Sequence, residues 1–203
     1  MLPGTRLDKI NLFEGHAVKQ RIEINSHVLA RPLSKTGEAD ILSAQDRLDM
    51  LDLIYTVGWC IDAQDYDILQ TIVTEDFTLD HAFGVVKGRS QVIEYLKSNA
   101  NIFDGHRQQN MNMLLRGVDL SAGLVVSHLL VTRLCDAQGN TGGFPAIVCQ
   151  GVCTDDLRKE KDLWKLQKRT VDQMSVSEIF MPDAAKRNFF GLTAKGRKEF
   201  QSR

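Results

Sequence analysis

The order of elements in this 203-residue chain predicts an α+β fold, with three N-terminal helices packed on one face of a curved antiparallel sheet. Three observations carry that prediction. Apolar residues between Leu48 and Trp59 recur at helical spacing. Four β-rich stretches follow from His106 at hairpin-like intervals, separated by turn-forming residues. At 43% hydrophobic and 25% charged, the chain reads as one globular domain with appended segments, long enough to bury a core.

Residues 1–42 read as an extension or arm: Ala17 to Leu29 has mixed polarity, and Arg31-Pro32 through Thr36-Gly37 is a turn-rich linker. The domain proper spans residues 43–177. Ser43, with Asp46 three residues on, caps a first long helix reaching about Ile61. Asp65 or Asp67 opens a short second helix to Thr74. Phe77 to Phe83 alternates as a strand, Gly84 closes it, and Val85-Val86 returns as a small hairpin. A third helix runs to about Asn101, with Ser90 as its N-cap and Val92, Ile93 and Leu96 on its inner face. The β-rich stretches are His106 to Arg116, Leu124 to Leu134, Phe144 to Leu157 and Leu163 to Ser177. The tail, residues 178–203, predicts a short helix from Asp183 to Phe189, with Phe189-Phe190 suited to docking on the body or on a partner subunit.

Leu48, Leu51, Tyr55, Trp59 and Asp62 fall within a sector of about 80° on the first helix, which predicts that they face the core together. A carboxylate on such a stripe requires a partner or a wet pocket, because burying an isolated charge costs several kcal/mol or more. The alternative is a C-terminal residue bonded to local backbone. Downstream, His106 precedes Gln108, Asn110 and Asn112 at every second position. That polar face either meets solvent or lines a cavity, and periodicity does not choose.

Twenty-five basic against 26 acidic residues give a net charge of -1, so neither a nucleic-acid nor a membrane-surface partner is expected. With no run of 18 apolar residues and no apolar core in Met1 to Asp8, a cytoplasmic location is the default expectation. Cys149 and Cys153 lie four residues apart on one strand, roughly 13 Å and too far for a disulfide. The five histidines show no metal-ligand spacing, so no metal site and no cofactor is expected.

Several motifs follow in a specific order: Tyr55 through Asp62, then Asp65, Asp67 and Leu69; Thr74-Glu75-Asp76-Phe77; Gly84 and Gly88-Arg89; His106 with Asn110. The last part is Gly151, Cys153, Asp155 and Leu157, then Asp162, Trp164, Leu166 and Arg169. From Ser43 to Val176 the chain resembles the SnoaL-like branch of the nuclear-transport-factor-2-like (NTF2-like) superfamily, small cone-shaped α+β proteins. It departs from the family pattern where Cys153 replaces the usual aromatic and Leu163 the turn glycine. The resemblance implies a ligand cavity between helices and sheet. It also implies an aspartate and histidine acting as a pair, which by motif are Asp62 and His106.

In such a pair the aspartate orients the imidazole and stabilises the imidazolium formed when the ring takes a proton. Tyr55, Asn110, His128 and Gln150 are candidate hydrogen-bond donors to substrate. Trp59 is a further candidate lining residue, as His128 and Tyr55 are also readable as satisfied core residues. The expected function is that of a cofactor-independent lyase or isomerase, of dehydratase or cyclase type. It acts on a small, apolar, carbonyl-bearing substrate of the kind met in natural-product biosynthesis. The rivals are a non-catalytic ligand-binding or assembly module and a β-subunit-like scaffold for a redox enzyme. Leu124 to Leu134, apolar on both faces, predicts a homodimer through the sheet.

Overall fold

The computed structural model describes residues 41–81, 84–135, 139, 141–143 and 145–177. The expectations for the arm before Ile41 and for the tail from residue 178, including its helix and Phe189-Phe190, lie outside the described residues. The helices are α1 (Ala44–Ala63), α2 (Tyr66–Ile72), α3 (Arg89–Ser98) and the single turn α4 (Ala100–Phe103). The strands are β1 (Val73–His81), β2 (Gly84–Lys87), β3 (His106–Gly117), β4 (Ala122–Arg133), β5 (Ala146–Glu160) and β6 (Leu163–Val176). Among the described residues no helix is long and apolar enough to cross a membrane.

Local chemistry explains where the first helices start. The Ser43 hydroxyl accepts from the Asp46 N–H while the Asp46 carboxylate accepts from the Ser43 N–H, a reciprocal capping box. Asp46 also accepts from Lys159 Nζ at 2.7 Å and Trp164 Nε1 at 2.9 Å, so the cap fastens α1 to the β5–β6 hairpin. These bonds hold its carboxyl well below the usual carboxylate range. Asp65 caps α2 through the Ile68 N–H. That helix ends at Ile72, earlier than Thr74, because Val73 is already extended and pairs with Leu166. Ser90 does not cap α3. Gly88, with φ at 92°, stands at the N-cap and makes no side-chain bond, so Ser90 falls inside the first turn.

The sheet has the order β2-β1-β6-β5-β4-β3. Hairpins make every pairing antiparallel except one, for β1 runs parallel to β6. The sheet is therefore mixed, which strand periodicity alone does not reveal. Register shifts interrupt the β1–β6, β3–β4, β4–β5 and β5–β6 ladders. Extra residues of this kind bend and twist strands, and they account for the curvature of the sheet. One shift, between Met111 and Leu114, carries Asn112 in the left-handed region at φ 52°. Asn112 thus leaves the face shared by Gln108 and Asn110 and meets His128 on the exposed side.

The main core joins Met50, Leu53, Ile54 and Val57 of α1 to Val92 and Leu96 of α3 and to Leu115, Val125, Leu157 and Leu166 of the sheet. This inner face of α1 is not the predicted one. Met50, Leu53, Ile54 and Val57 point inward, while Leu48, Tyr55 and Trp59 are exposed on the other side. The helix carries two apolar sectors, and the one with the tighter i, i+3, i+4, i+7 spacing is buried. Packing is close at the far end: a Cβ on Gly123 would stand 2.7 Å from Met50 Cε and one on Gly117 would meet Ile41, so either side chain would have to shift. A second cluster, Leu129, Val131, Cys149, Cys153 and Val171, lies at the other end of the concave sheet face.

Candidate active site

α1 runs beside β3, so that its last turn comes against the first residues of that strand. Asp62 is half-buried there, and its two carboxylate oxygens accept from the Gln108 N–H at 3.1 and 3.0 Å. β3 is the outermost strand, so this N–H has no ladder partner and the carboxylate supplies one. Burial pushes the Asp62 carboxyl above the ordinary carboxylate value, against the pull of the Gln108 N–H and of Arg107. A cleft of about 210 Å³ opens between the two elements, lined on the helix by Tyr55, Gly58, Trp59 and Asp62 and on the strand by residues 107–110. Asp62 is therefore an acceptor at the wall of a cleft, on the helix flank rather than in the core.

His106 does not line the cleft. It sits two residues before Gln108 on the same face of β3, only 6% exposed, with the Phe103 ring edge-on at 6.2 Å between centroids. Burial, helped by Arg133 and opposed by Asp104, pushes its imidazole down to about 4, so the ring is neutral at physiological pH. No hydrogen bond joins it to Asp62: both bonds of that carboxylate go to the Gln108 main chain. The two residues share a neighbourhood on either side of Gln108 without forming the expected direct pair.

Asn110 lines the cleft and donates to the Ser127 hydroxyl at 2.8 Å. From Ser127 a polar row crosses the concave face to Cys153, opposite it on β5, and then to Asp155. Asp155 in turn accepts from Arg169 Nε at 2.7 Å and Nη2 at 2.9 Å, a bidentate pair of which Arg169 is 3% exposed. Burial raises the Cys153 thiol, which argues against a nucleophilic thiolate. Near the opposite edge of the sheet, the Tyr95 hydroxyl lies 3.3 Å from His81 Nε2, and burial pushes that imidazole down to about 4 as well.

Of the candidate substrate-binding residues, Tyr55, Trp59 and Asn110 surround the cleft with Asp62. His128 and Gln150 do not. The inward residues of β4 are Val125, Ser127, Leu129 and Val131, whereas His128 pairs with Met111 and is exposed on the convex face. Both alternating sets of β4 are apolar, and a one-residue slip in reading them reverses every side chain. Gln150 is exposed on the same convex face, because Gly151, Cys153 and Asp155 take the inward positions of β5. The sequence does not point to Gly58 or Ser127. Ser127 had one signal, a small polar residue between Val125 and Leu129 on an apolar face. Among the described residues no three His, Cys, Asp or Glu side chains converge as a metal site.

Comparison with known proteins adds a family. A model described as a SnoaL-like domain matches residues 43–170. No curated protein matches the chain. Among solved structures, an NTF2-like protein with a cystatin-like fold from Novosphingobium aromaticivorans shares 18% identity over 71% of this chain and 88% of its own, at a TM-score of 0.55. A candidate scytalone dehydratase from the same organism shares 14% identity over 65% of this chain and 87% of its own, at a TM-score of 0.52. ActVI-ORFA of Streptomyces coelicolor shares 18% identity over 62% of this chain and 92% of its own, at a TM-score of 0.54. At these identities the likeness is one of fold.

Proposed function

Because the chain belongs to the SnoaL-like domain family over residues 43–170, we propose that it is a cofactor-independent lyase or isomerase of dehydratase or cyclase type. Its substrate is a small, apolar molecule carrying a carbonyl group. The observation that supports this most is the state of Asp62, a half-buried carboxylate at a cleft wall that burial raises above its ordinary value. Such a group takes a proton from carbon next to a carbonyl and returns it elsewhere, or passes it to a β-hydroxyl, whose C–O bond breaks so that it leaves as water.

The pKa shifts favour a division of labour different from the simple dyad. Asp62 is the base, and His106, a buried neutral imidazole outside the cleft, stands behind the start of β3 rather than on the substrate. Asn110 supplies an amide donor for the developing enolate. Tyr55 and Trp59 offer aromatic surface to the apolar body of the substrate.

Solvent exchange tests the reading without knowledge of the product. Incubated in deuterium oxide with cyclic β-hydroxy ketones and enones, the protein is expected to catalyse exchange next to the carbonyl or loss of water, followed by NMR. Asp62→Asn keeps an acceptor for the Gln108 N–H but removes the charge, so it should cut the rate roughly 100- to 10,000-fold with its melting temperature little changed. Asp62→Ala strips that N–H of its partner and should also cost about 1–3 kcal/mol of stability. Full exchange activity in Asp62→Asn would remove the carboxylate from the chemistry. A second reading, ligand binding without turnover, draws support from the Asp62 carboxylate, which bonds to the Gln108 main chain rather than to His106. It predicts saturable binding of the same ketones with no exchange.

A further inference from the structure

The cleft carries two opposite charges that do not pair. Asp62 stands on its helix wall and Arg107 on its strand wall, and among the described residues these are the charged side chains that line it. The Asp62 carboxylate turns both oxygens to the Gln108 N–H. Arg107 donates from Nη1 to the carbonyl of His106, one residue back along its own strand, and reaches no carboxylate among the described residues. Its charge is nonetheless felt across the gap, since it pulls against the burial that raises Asp62. The Nε and Nη2 hydrogens of Arg107 are therefore left unused within the described protein. This is the same edge of a guanidinium that Arg169 presents to Asp155.

The neighbouring side chains extend the pattern. Alternate residues of a strand share a face, so Arg107 and Gln109 stand on one side of β3 and Gln108 and Asn110 on the other. Arg107 and Gln109 are about 6.6 Å apart along the strand, close enough for a guanidinium and an amide to reach one carboxylate together. The Gln109 amide makes no hydrogen bond among the described residues. On the facing helix, Tyr55 and Trp59 are 50% and 70% exposed and offer apolar surface. A planar guanidinium edge with two parallel N–H groups matches the two oxygens of a carboxylate. A doubly charged phosphate suits the cleft less well, because its second charge would be set against the Asp62 carboxylate.

We propose that Arg107 sets the specificity of the cleft and that its ligand is a keto acid, with the carboxylate on the open edge of Arg107 beside Gln109, the carbonyl toward Asn110 and the apolar body on Tyr55 and Trp59. This selectivity rests on the reading of the cleft beside Asp62 as a site for carbonyl compounds, and it holds whether or not they are turned over.

The experiment titrates the full chain with benzoylpropionate, a keto acid with an aromatic body, and with benzoylpropionamide, which has nearly the same shape and no charge. Binding is followed by NMR through the Gln108 and Asn110 amides at low ionic strength. The acid should bind roughly tenfold more tightly than the amide, as expected of one charge-assisted pair at a cleft wall, and added salt should narrow the gap. Arg107→Gln should bind acid and amide alike with the amide affinity unchanged, and Arg107→Lys should keep part of the preference through charge without the fork. The Arg107 side chain is exposed and bonds to a carbonyl of its own strand, so both variants should keep the fold. Equal binding of acid and amide by the unmodified chain, or an acid preference that survives in Arg107→Gln, overturns the assignment. Failure of both compounds to bind overturns the carbonyl reading of the cleft itself, and the selectivity with it. The α-amino derivative of benzoylpropionate is the last arm: if this zwitterion binds more tightly than the keto acid, Asp62 takes an ammonium group and the keto-acid assignment fails.

Discussion

At the scale of single residues, the site depends on groups whose ionisation the fold displaces. His106 has the clearest consequence. Between pH 6.5 and about 4 the unfolded chain binds a proton at this ring that the native protein does not, so native stability is fully present above that window and falls as acid is added. The slope is about 1.4 kcal/mol per pH unit for one such group. Asp62 acts in the opposite sense, because a carboxyl raised by folding takes its proton first in the native state. We expect urea midpoints to fall from pH 7 to pH 5, with a shallower fall in His106→Gln; an unchanged slope would show that the ring is protonated as easily in the native state as in the unfolded chain. The residue scale is also where reading the sequence stops short. Asp62, Asp155 and Arg169 stand out as residue types at telling positions. That Asp62 meets the Gln108 main chain, and that Asp155 meets Arg169 across a ladder, depends on strand register set by distant packing.

At the scale of elements, what local chemistry controls was legible and what competition between faces controls was not. The Ser43–Asp46 box and the Asp65 cap follow from side chains acting within one turn. The inner face of α1 does not, since Met50, Leu53, Ile54 and Val57 compete with Leu48, Leu51, Tyr55 and Trp59 and only the sheet decides between them. The outcome leaves Gly58 inside the helix, facing the cleft, with open space for 4 Å around the point where a Cβ would stand. Gly58→Ala should therefore stabilise the protein by about 0.5–1 kcal/mol through helix propensity alone, measured by urea unfolding. It should also weaken ligand binding by narrowing the cleft. Destabilisation would mean that the backbone at this position needs the freedom of glycine.

At the scale of the whole molecule, the convex face of the sheet is the surface left without a cover among the described residues. Met111 and Ile147 are 40% and 60% exposed there, beside His128 and Gln150. A two-fold homodimer through this face is our expectation, read as twice the chain mass in sedimentation equilibrium at micromolar concentration, with Ile147→Asp shifting the population to monomer. A monomeric mass in the unmodified protein would leave the convex face to solvent. The parallel seam between β1 and β6 has a different consequence, one of timing. Leu79 stands beside Arg169, so a strand in the first half of the domain waits for the last strand before its side of the ladder can close. The β3 to β6 meander closes hairpin by hairpin at small entropic cost, while the seam must close a long loop first. The meander is thus the natural nucleus and the seam the late event. Val125→Ala should slow refolding, and Leu79→Ala should chiefly speed unfolding, in stopped-flow measurements across denaturant. During synthesis, the edge of β1 that pairs with β6 is held without its ladder partner until that last strand has been made.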